Sequence, residues 1–337
     1  MRTAIARLMF GVFVLVSALP ARADNPKPID GSKQIATLAV IGDTPYGAAQ
    51  VADLPNLVSA INADPDVERV VHVGDIKNGS TRCDTSYFVE IEGRFASFSD
   101  PLVYTPGDNE WTDCHRSNNG KYDPLERLAT LRDLFFANPG FTLGGSAEPL
   151  FTQADSTDFS TLPENVAWVQ SRVVFATLHV VGSSNGLAPW FGDDTTDALV
   201  DDPVRRTAEV QLRTAGAIAW LENAFELADK SNTQGVLLFM QADTWPGSAT
   251  DGFGAIIRRL AELAQAFGKP VLVVQGDSHR FKVDQPLLAG DSVHGVTFAV
   301  PNLTRLIVEG ETTSQWLKLQ VDPRGGGPLF SWQRILR

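Results

Sequence analysis

The 337-residue sequence predicts an α/β fold, on three observations. Short apolar, β-branched runs stop abruptly at Gly-Asp or a similar polar turn, helical patterns lie between those runs, and the segment after residue 290 turns to strand after strand. Helices alternating with strands is the pattern of α/β proteins.

Taken in order, Ile35 to Ile41 precedes Gly42-Asp43, Val67 to Val73 precedes Gly74-Asp75, and Leu102 to Tyr104 precedes Pro106-Gly107-Asp108. Each reads as a buried strand that delivers an acidic residue at its C-terminal end. Asp123-Pro124 then caps a helix whose Leu125, Leu128, Leu131 and Leu134-Phe135 recur at helical spacing. The stretch from Phe141 to Val166 has no clear period and reads either as a surface excursion near the strand-end turns or as a plain connecting loop. A long helix is expected over Thr207 to Ala228, with Leu212, Ile218, Leu221 and Phe225 on one face, and another over Gly254 to Phe267. Val236 to Met240 before Gln241-Ala242-Asp243, and Val271 to Val274 before Gly276-Asp277-Ser278-His279, repeat the strand-then-acid design. Gly295 to Glu309, Ser314 to Val321 and Leu329 to Leu336 look like consecutive strands, so the sheet system is expected to finish antiparallel.

Ahead of this lies an export signal. Arg2 and Arg7 precede an uncharged run from Leu8 to Leu19, followed by Pro20-Ala21-Arg22-Ala23. Basic start, short apolar core and small-residue cleavage site are the order of a secretory signal, and about a dozen apolar residues is too short to cross a bilayer. Residues 1–23 are therefore expected to be removed and residues 24–337 to form a single domain, exported to a periplasm or secreted, with no membrane span after cleavage. Cleavage removes three of the 28 basic residues and none of the 40 acidic ones, moving the formal net charge from −12 to −15. A chain so acidic repels nucleic acid and anionic lipid, which argues against either as a general partner. Cys83 and Cys114 are the only cysteines, and in an oxidising compartment they are expected to pair. Closing that loop stabilises the fold by roughly 3 to 4 kcal/mol in the chain-entropy model.

One Gly-Asp after a strand means little, because Gly and Asp are ordinary turn formers. The ordered set carries more: Gly42-Asp43, Gly74-Asp75, Gly107-Asp108-Asn109-Glu110, a strand ending at Gln241, then Gly276-Asp277-Ser278-His279. In open α/β sheets, ligands collect beyond the carboxyl ends of strands, so these turns are expected to converge. The series resembles the motifs of the calcineurin-like metallophosphoesterases, and Trp220-Leu221-Glu222 adds to the likeness. The resemblance implies a four-layer α/β/β/α sandwich of two mixed β-sheets, and a metal-dependent hydrolase in which one or two divalent cations activate water against a small phosphorylated substrate.

Carried over position by position, the resemblance makes Asp43 a terminal metal ligand and Asp75 the bridging one. Asp108 stands where the family has its metal-binding Asn, Gln241 at its lone His, Asp277 at the first His of the last motif and His279 at the second. The first motif's His aligns with Pro45, which cannot ligate, and Asn109 replaces the His that acts on the leaving group. An amide donates a hydrogen bond but delivers no proton, so His115 is the candidate to supply one. Lys77 and Arg116, with Arg82 beside them, are candidates to hold phosphate. Carboxylates in place of imidazoles make the set oxygen-rich, favouring Mg²⁺, Mn²⁺ or Ca²⁺ over Zn²⁺. The same departures support an alternative, a non-catalytic binding protein with at most one structural cation. His72 reads as a core histidine and His294 as a loop residue without a visible partner, while Trp111, Trp190 and Trp245 are candidates to wall a pocket.

Overall fold

The computed structural model describes residues 29–192, 199–245, 251–312 and 314–336. The export signal expected at residues 1–23 lies outside them. Among the described residues no helix is long and apolar enough to cross a membrane.

Two mixed sheets stack face to face with helices on both outer sides. The first has the order β12-β11-β1-β2-β3. Its β1 (Ala36–Ile41), β2 (Arg69–His72) and β3 (Leu102–Tyr104) are parallel, and β11 (Trp316–Val321) and β12 (Phe330–Ile335) are added antiparallel. The second has the order β4-β5-β6-β7-β8-β10-β9. There β6 (Val173–Thr177), β7 (Gly235–Phe239), β8 (Val271–Gln275) and β10 (Leu303–Ile307) run parallel. Antiparallel strands flank them: β4 (Phe151–Thr152) and β5 (Val166–Gln170) on one side, β9 (Lys282–Asp284) on the other.

Alternation along the strands builds the layers, because successive side chains point to opposite faces. Leu38 and Val40 of β1, with Val71, pack against Phe175, Leu237, Phe239 and Val274 between the sheets. Ala39 and Ile41 point the other way, into a core shared with α1 (Gly47–Asn62), α2 (Thr85–Phe95) and α3 (Pro124–Phe135). Val174, Val236, Leu238 and Val273 pack outward on α5 (Pro203–Lys230) and α6 (Gly254–Phe267). The short α4 (Gly182–Asn185) is a single turn with Ser183 and Ser184 in the left-handed region, at φ 49° and 58°. The four-layer sandwich is thus present, and both sheets direct the carboxyl ends of their parallel strands to one edge.

Several boundaries differ from expectation. The α5 helix begins at Pro203, because Asp202 accepts from the Arg205 N–H and repeats the Asp-Pro cap that starts α3. Only Leu303–Ile307 of the strand expected over residues 295 to 309 forms, since Pro301 offers no donor to a ladder, and it runs parallel to β8 rather than antiparallel. The segment from Phe141 does not begin near the strand-end turns: Leu143 pairs with Leu102, at the start of β3.

Candidate metal centre

Asp43, Asp75 and Asp277 follow the ends of β1, β2 and β8, each with positive φ (50°, 59° and 70°). His279, at φ 56°, repeats the conformation. Left-handed backbone costs a non-glycine residue energy, although Asp tolerates it better than most, and such residues gather at functional sites. Here the sharp turn aims each side chain back over the strand end. Close approach is needed too: a Cβ on Gly107 would fall 2.1 Å from Asp75 Oδ1, so only glycine lets the β3 loop pass there.

One oxygen each from Asp43 and Asp75 and one nitrogen of His279 lie within 4.8 Å of one another. Among the described residues this is the one group of three or more His, Cys, Asp or Glu side chains so gathered. His279 Nδ1 is 2.9 Å from Glu311 Oε2, which orients the ring so that Nε2 faces the site, 3.6 Å from Asp43 Oδ1. Tyr46 donates its hydroxyl to Asp75 Oδ2 at 2.8 Å, and the Tyr46 hydroxyl oxygen is 3.4 Å from His279 Nε2. Asn109 donates to Asp75 Oδ2 at 2.7 Å.

Electrostatics explain what this half of the centre lacks. Burial first, then the charges of Asp108, Glu110 and Asp43, hold Asp75 well above the usual carboxylate range. Burial likewise raises Asp43, partly offset by the Asp277 N–H and reinforced by the Asp277 charge. Buried carboxylates at this density ionise only with a compensating positive charge. Two carboxylates and an oriented imidazole within reach of one point therefore fit one divalent cation.

The neighbouring half is arranged differently. Gln241 Oε1 accepts from the Gly182 N–H at 2.6 Å, and its Nε2 donates to Asp108 Oδ1 at 3.2 Å. Ser183 Oγ is 2.8 Å from both Asp108 Oδ2 and Asp113 Oδ1. Asp277 Oδ2 accepts from the Asp243 N–H at 3.2 Å, and burial followed by the Asp108 charge pushes this carboxyl up to about 7. The one Ser183 proton serves either Asp108 or Asp113, while the Gln241 amide engages Gly182 through Oε1 and Asp108 through Nε2.

Residues 36–281 match the model of the calcineurin-like phosphoesterases. The chain belongs to that family. It is thereby placed among metal-dependent phosphoric ester hydrolases, and the matched range contains Asp43, Asp75, Asp108, Gln241, Asp277 and His279. A solved dimetal phosphatase from Danio rerio is similar over 89% of this chain and 98% of its own, at 13% identity and a TM-score of 0.51. The purple acid phosphatase PPD1 of Lupinus luteus aligns at 10% identity and TM-score 0.44, over 92% of this chain and 55% of its own. The Plasmodium protein GAP50, described as the anchor in the inner membrane complex, aligns at 10% identity and TM-score 0.47, over 90% and 89%. No curated protein matches the phosphoesterase by sequence.

Other expected site residues fall in varied places. Lys77 is fully buried and donates to the Asn109 carbonyl at 2.6 Å, so it braces the loop from within instead of facing a substrate. Burial lowers its ammonium to about 8, against the pull of Glu110 and Asp75. His115 is also buried, its Nδ1 accepting from the Phe191 N–H at 2.8 Å, which removes that nitrogen as a proton donor. Arg116 is 37% exposed and pairs with Asp113 at 2.7 Å, beside Gly79 and Asn109. Arg82 is spent on Asp84. Cys83 and Cys114 form the disulfide, with Cα atoms 5.8 Å apart, joining the loops that follow Asp75 and Asp108.

His72 is a core residue, donating through Nε2 to Thr44 O and accepting the Gly74 N–H, and burial lowers it to about 4. Trp111 is buried beneath the loop against Arg213 and His179, not on a pocket wall, and Trp190 and Trp245 are buried as well. His294, expected alone, sits between Asp291 and Asp251. Two contributors escape motif reading: Tyr46 and Glu311. Glu110, although within the quoted motif, has a structural task, taking the Asp75 N–H (3.0 Å), the Gly107 N–H (2.7 Å) and the Tyr104 hydroxyl (2.8 Å).

Proposed function

We propose that the protein is an exported phosphoesterase that hydrolyses a small phosphate ester, using a divalent cation held by Asp43, Asp75 and His279. The observation that carries the reading is the convergence of those three side chains within 4.8 Å in a chain of this family. When bound, the cation polarises the phosphoryl oxygens and lowers the pKa of coordinated water. The chain's own groups do the rest. Glu311 keeps the His279 ring turned to the site, and the Tyr46 hydroxyl and Asn109 amide fix the Asp75 carboxylate by hydrogen bonds. Arg116, partly exposed beside Asn109, supplies positive charge for a phosphate oxygen.

Asn109 also bears on the substrate. Standing where the family has a histidine, it donates a hydrogen bond but no proton, so esters whose leaving oxygen departs unprotonated are favoured. Aryl phosphates should therefore be cleaved much faster than alkyl phosphates. Oxygen-rich coordination supports Mg²⁺, Mn²⁺ or Ca²⁺ over Zn²⁺. The N-terminal signal pattern and the buried disulfide support export to an oxidising compartment.

The test is hydrolysis of an aryl phosphate and an aryl phosphodiester by metal-stripped protein, resupplied separately with Mg²⁺, Mn²⁺, Ca²⁺ and Zn²⁺. Turnover should return with a hard cation and be absent in Asp75→Ala. Folded protein inactive with every cation would instead favour a non-catalytic binding protein, the reading to which the loss of a proton-delivering group at Asn109 also points.

A further inference from the structure

The two halves of the centre differ in one decisive atom. The Gly182 N–H can only donate, so the Gln241 side-chain atom 2.6 Å from it is the oxygen. That contact settles the orientation of the amide: its NH₂ group faces the carboxylates. Nε2 donates to Asp108 Oδ1 at 3.2 Å, and the Gln241 side chain lies near enough to Asp277 to offset part of the rise in that carboxyl's pKa. A group with two N–H bonds and no available lone pair thus lies between two carboxylates, at the position where the family's motif carries a metal-ligating histidine.

Turn α4 completes the closure. Ser183 Oγ meets the other oxygen of Asp108 at 2.8 Å. A Cβ built on Gly182 would fall 2.6 Å from Asp108 Oδ2 and 2.9 Å from Asp277 Oδ1, so only glycine lets this peptide come so close to both carboxylates. Neither Asp108 nor Asp277 belongs to the cluster of Asp43, Asp75 and His279. The second metal position implied by the family does not fit the residues present.

We propose that the Gln241 carboxamide replaces the second metal ion, so that this phosphoesterase works with one divalent cation, held by Asp43, Asp75 and His279. The Gln241 NH₂ group supplies by hydrogen bonding part of the charge balance that a second cation would otherwise give to Asp108 and Asp277. Its orientation is held by the left-handed turn that presents the Gly182 N–H. The inference rests on the metal-dependent reading of the same site, but is tested without turnover.

Full-length mature protein, stripped of metal, is dialysed to saturation against Mn²⁺, and bound manganese is counted by elemental analysis, with the electron paramagnetic resonance spectrum recorded on the same samples. One ion per chain and the signal of isolated Mn²⁺ are expected. Asp108→Asn should still bind one ion, and His279→Ala should bind at least about 100-fold more weakly. Two ions per wild-type chain, or a spin-coupled Mn²⁺ pair, would overturn the proposal. So would no bound ion, or an ion lost in Asp108→Asn and kept in His279→Ala. A one-ion protein that hydrolyses nothing leaves the inference standing and removes the catalytic reading, while a two-ion protein that turns over does the reverse.

Discussion

The halves of the centre lie side by side on the same strand ends and solve the same problem, buried negative charge, in opposite ways. Around Asp43 and Asp75, burial raises the carboxyls and too little protein charge answers them. Around Asp108, the Gln241 amide and the Ser183 hydroxyl answer instead. Acidic residues at a strand end are therefore not equivalent as ligands. What separates them is which oxygens the donors meet: Tyr46 and Asn109 side chains gather on Asp75 Oδ2 and leave Oδ1 only a backbone N–H at 3.3 Å, whereas Gln241 and Ser183 meet one oxygen of Asp108 each.

The largest expected effect separates the halves outright. Asp43→Asn should abolish metal-restored hydrolysis, while Asp277→Asn should keep it within about tenfold, a barrier change of about 1.4 kcal/mol. Equal loss in both would erase the distinction between them.

Next in size is the disulfide, which spans both halves. Cys83 and Cys114, 31 residues apart, join the loops following Asp75 and Asp108. Replacing both with Ser should cost about 2 to 5 kcal/mol in denaturant unfolding and weaken Mn²⁺ binding together with stability. Stability lost with unchanged affinity would show that the bridge does not hold the ligands in place.

Glu311→Gln sharpens the account of His279, since it weakens the partner that orients the ring while leaving all three metal-binding groups. Affinity for Mn²⁺ should fall about 10- to 100-fold. Unchanged affinity would show the contact to be incidental.

The smallest effect is a control away from the centre. Burial alone would raise Glu164, but the Arg132 charge and the His179 and Arg132 hydrogen bonds prevail and bring it to about 2. Because the folded value lies below the unfolded one, ordinarily near 4.5, the stabilisation is complete above that value and fades as pH falls toward about 2. Melting temperatures of wild type and Glu164→Gln should therefore converge across that window. A gap that widened there would reverse the sign.

Much of this arrangement was legible because strand ends have a local signature. Asp43, Asp75, Asp277 and His279 each follow a short apolar run, so their convergence was readable once the strands were. The Gly182-Ser183-Ser184-Asn185-Gly186 run is turn-forming in composition, and its Ser183 meets Asp108. Tyr46 was not legible: it lies three residues beyond Asp43, past the motif position held by Pro45, and only its long side chain brings the hydroxyl to Asp75. Glu311 reaches His279 because β10 pairs with β8, a long-range choice that local pattern does not encode. The α1 and α2 helices went unread, α1 because Pro55 interrupts the apolar spacing of Leu54, Leu57, Val58 and Ile61. The burial of Lys77 and His115 was not legible, because sequence gives nearness along the chain but not the direction in which a side chain is buried.

The central claim is best tested by locating the ion directly. Anomalous diffraction from crystals of the protein soaked in Mn²⁺ should give one peak, bounded by Asp43, Asp75 and His279, with the Gln241 amide still on Asp108. A second peak between Asp75, Asp108 and Asp277, with Gln241 turned to present its oxygen, would contradict it.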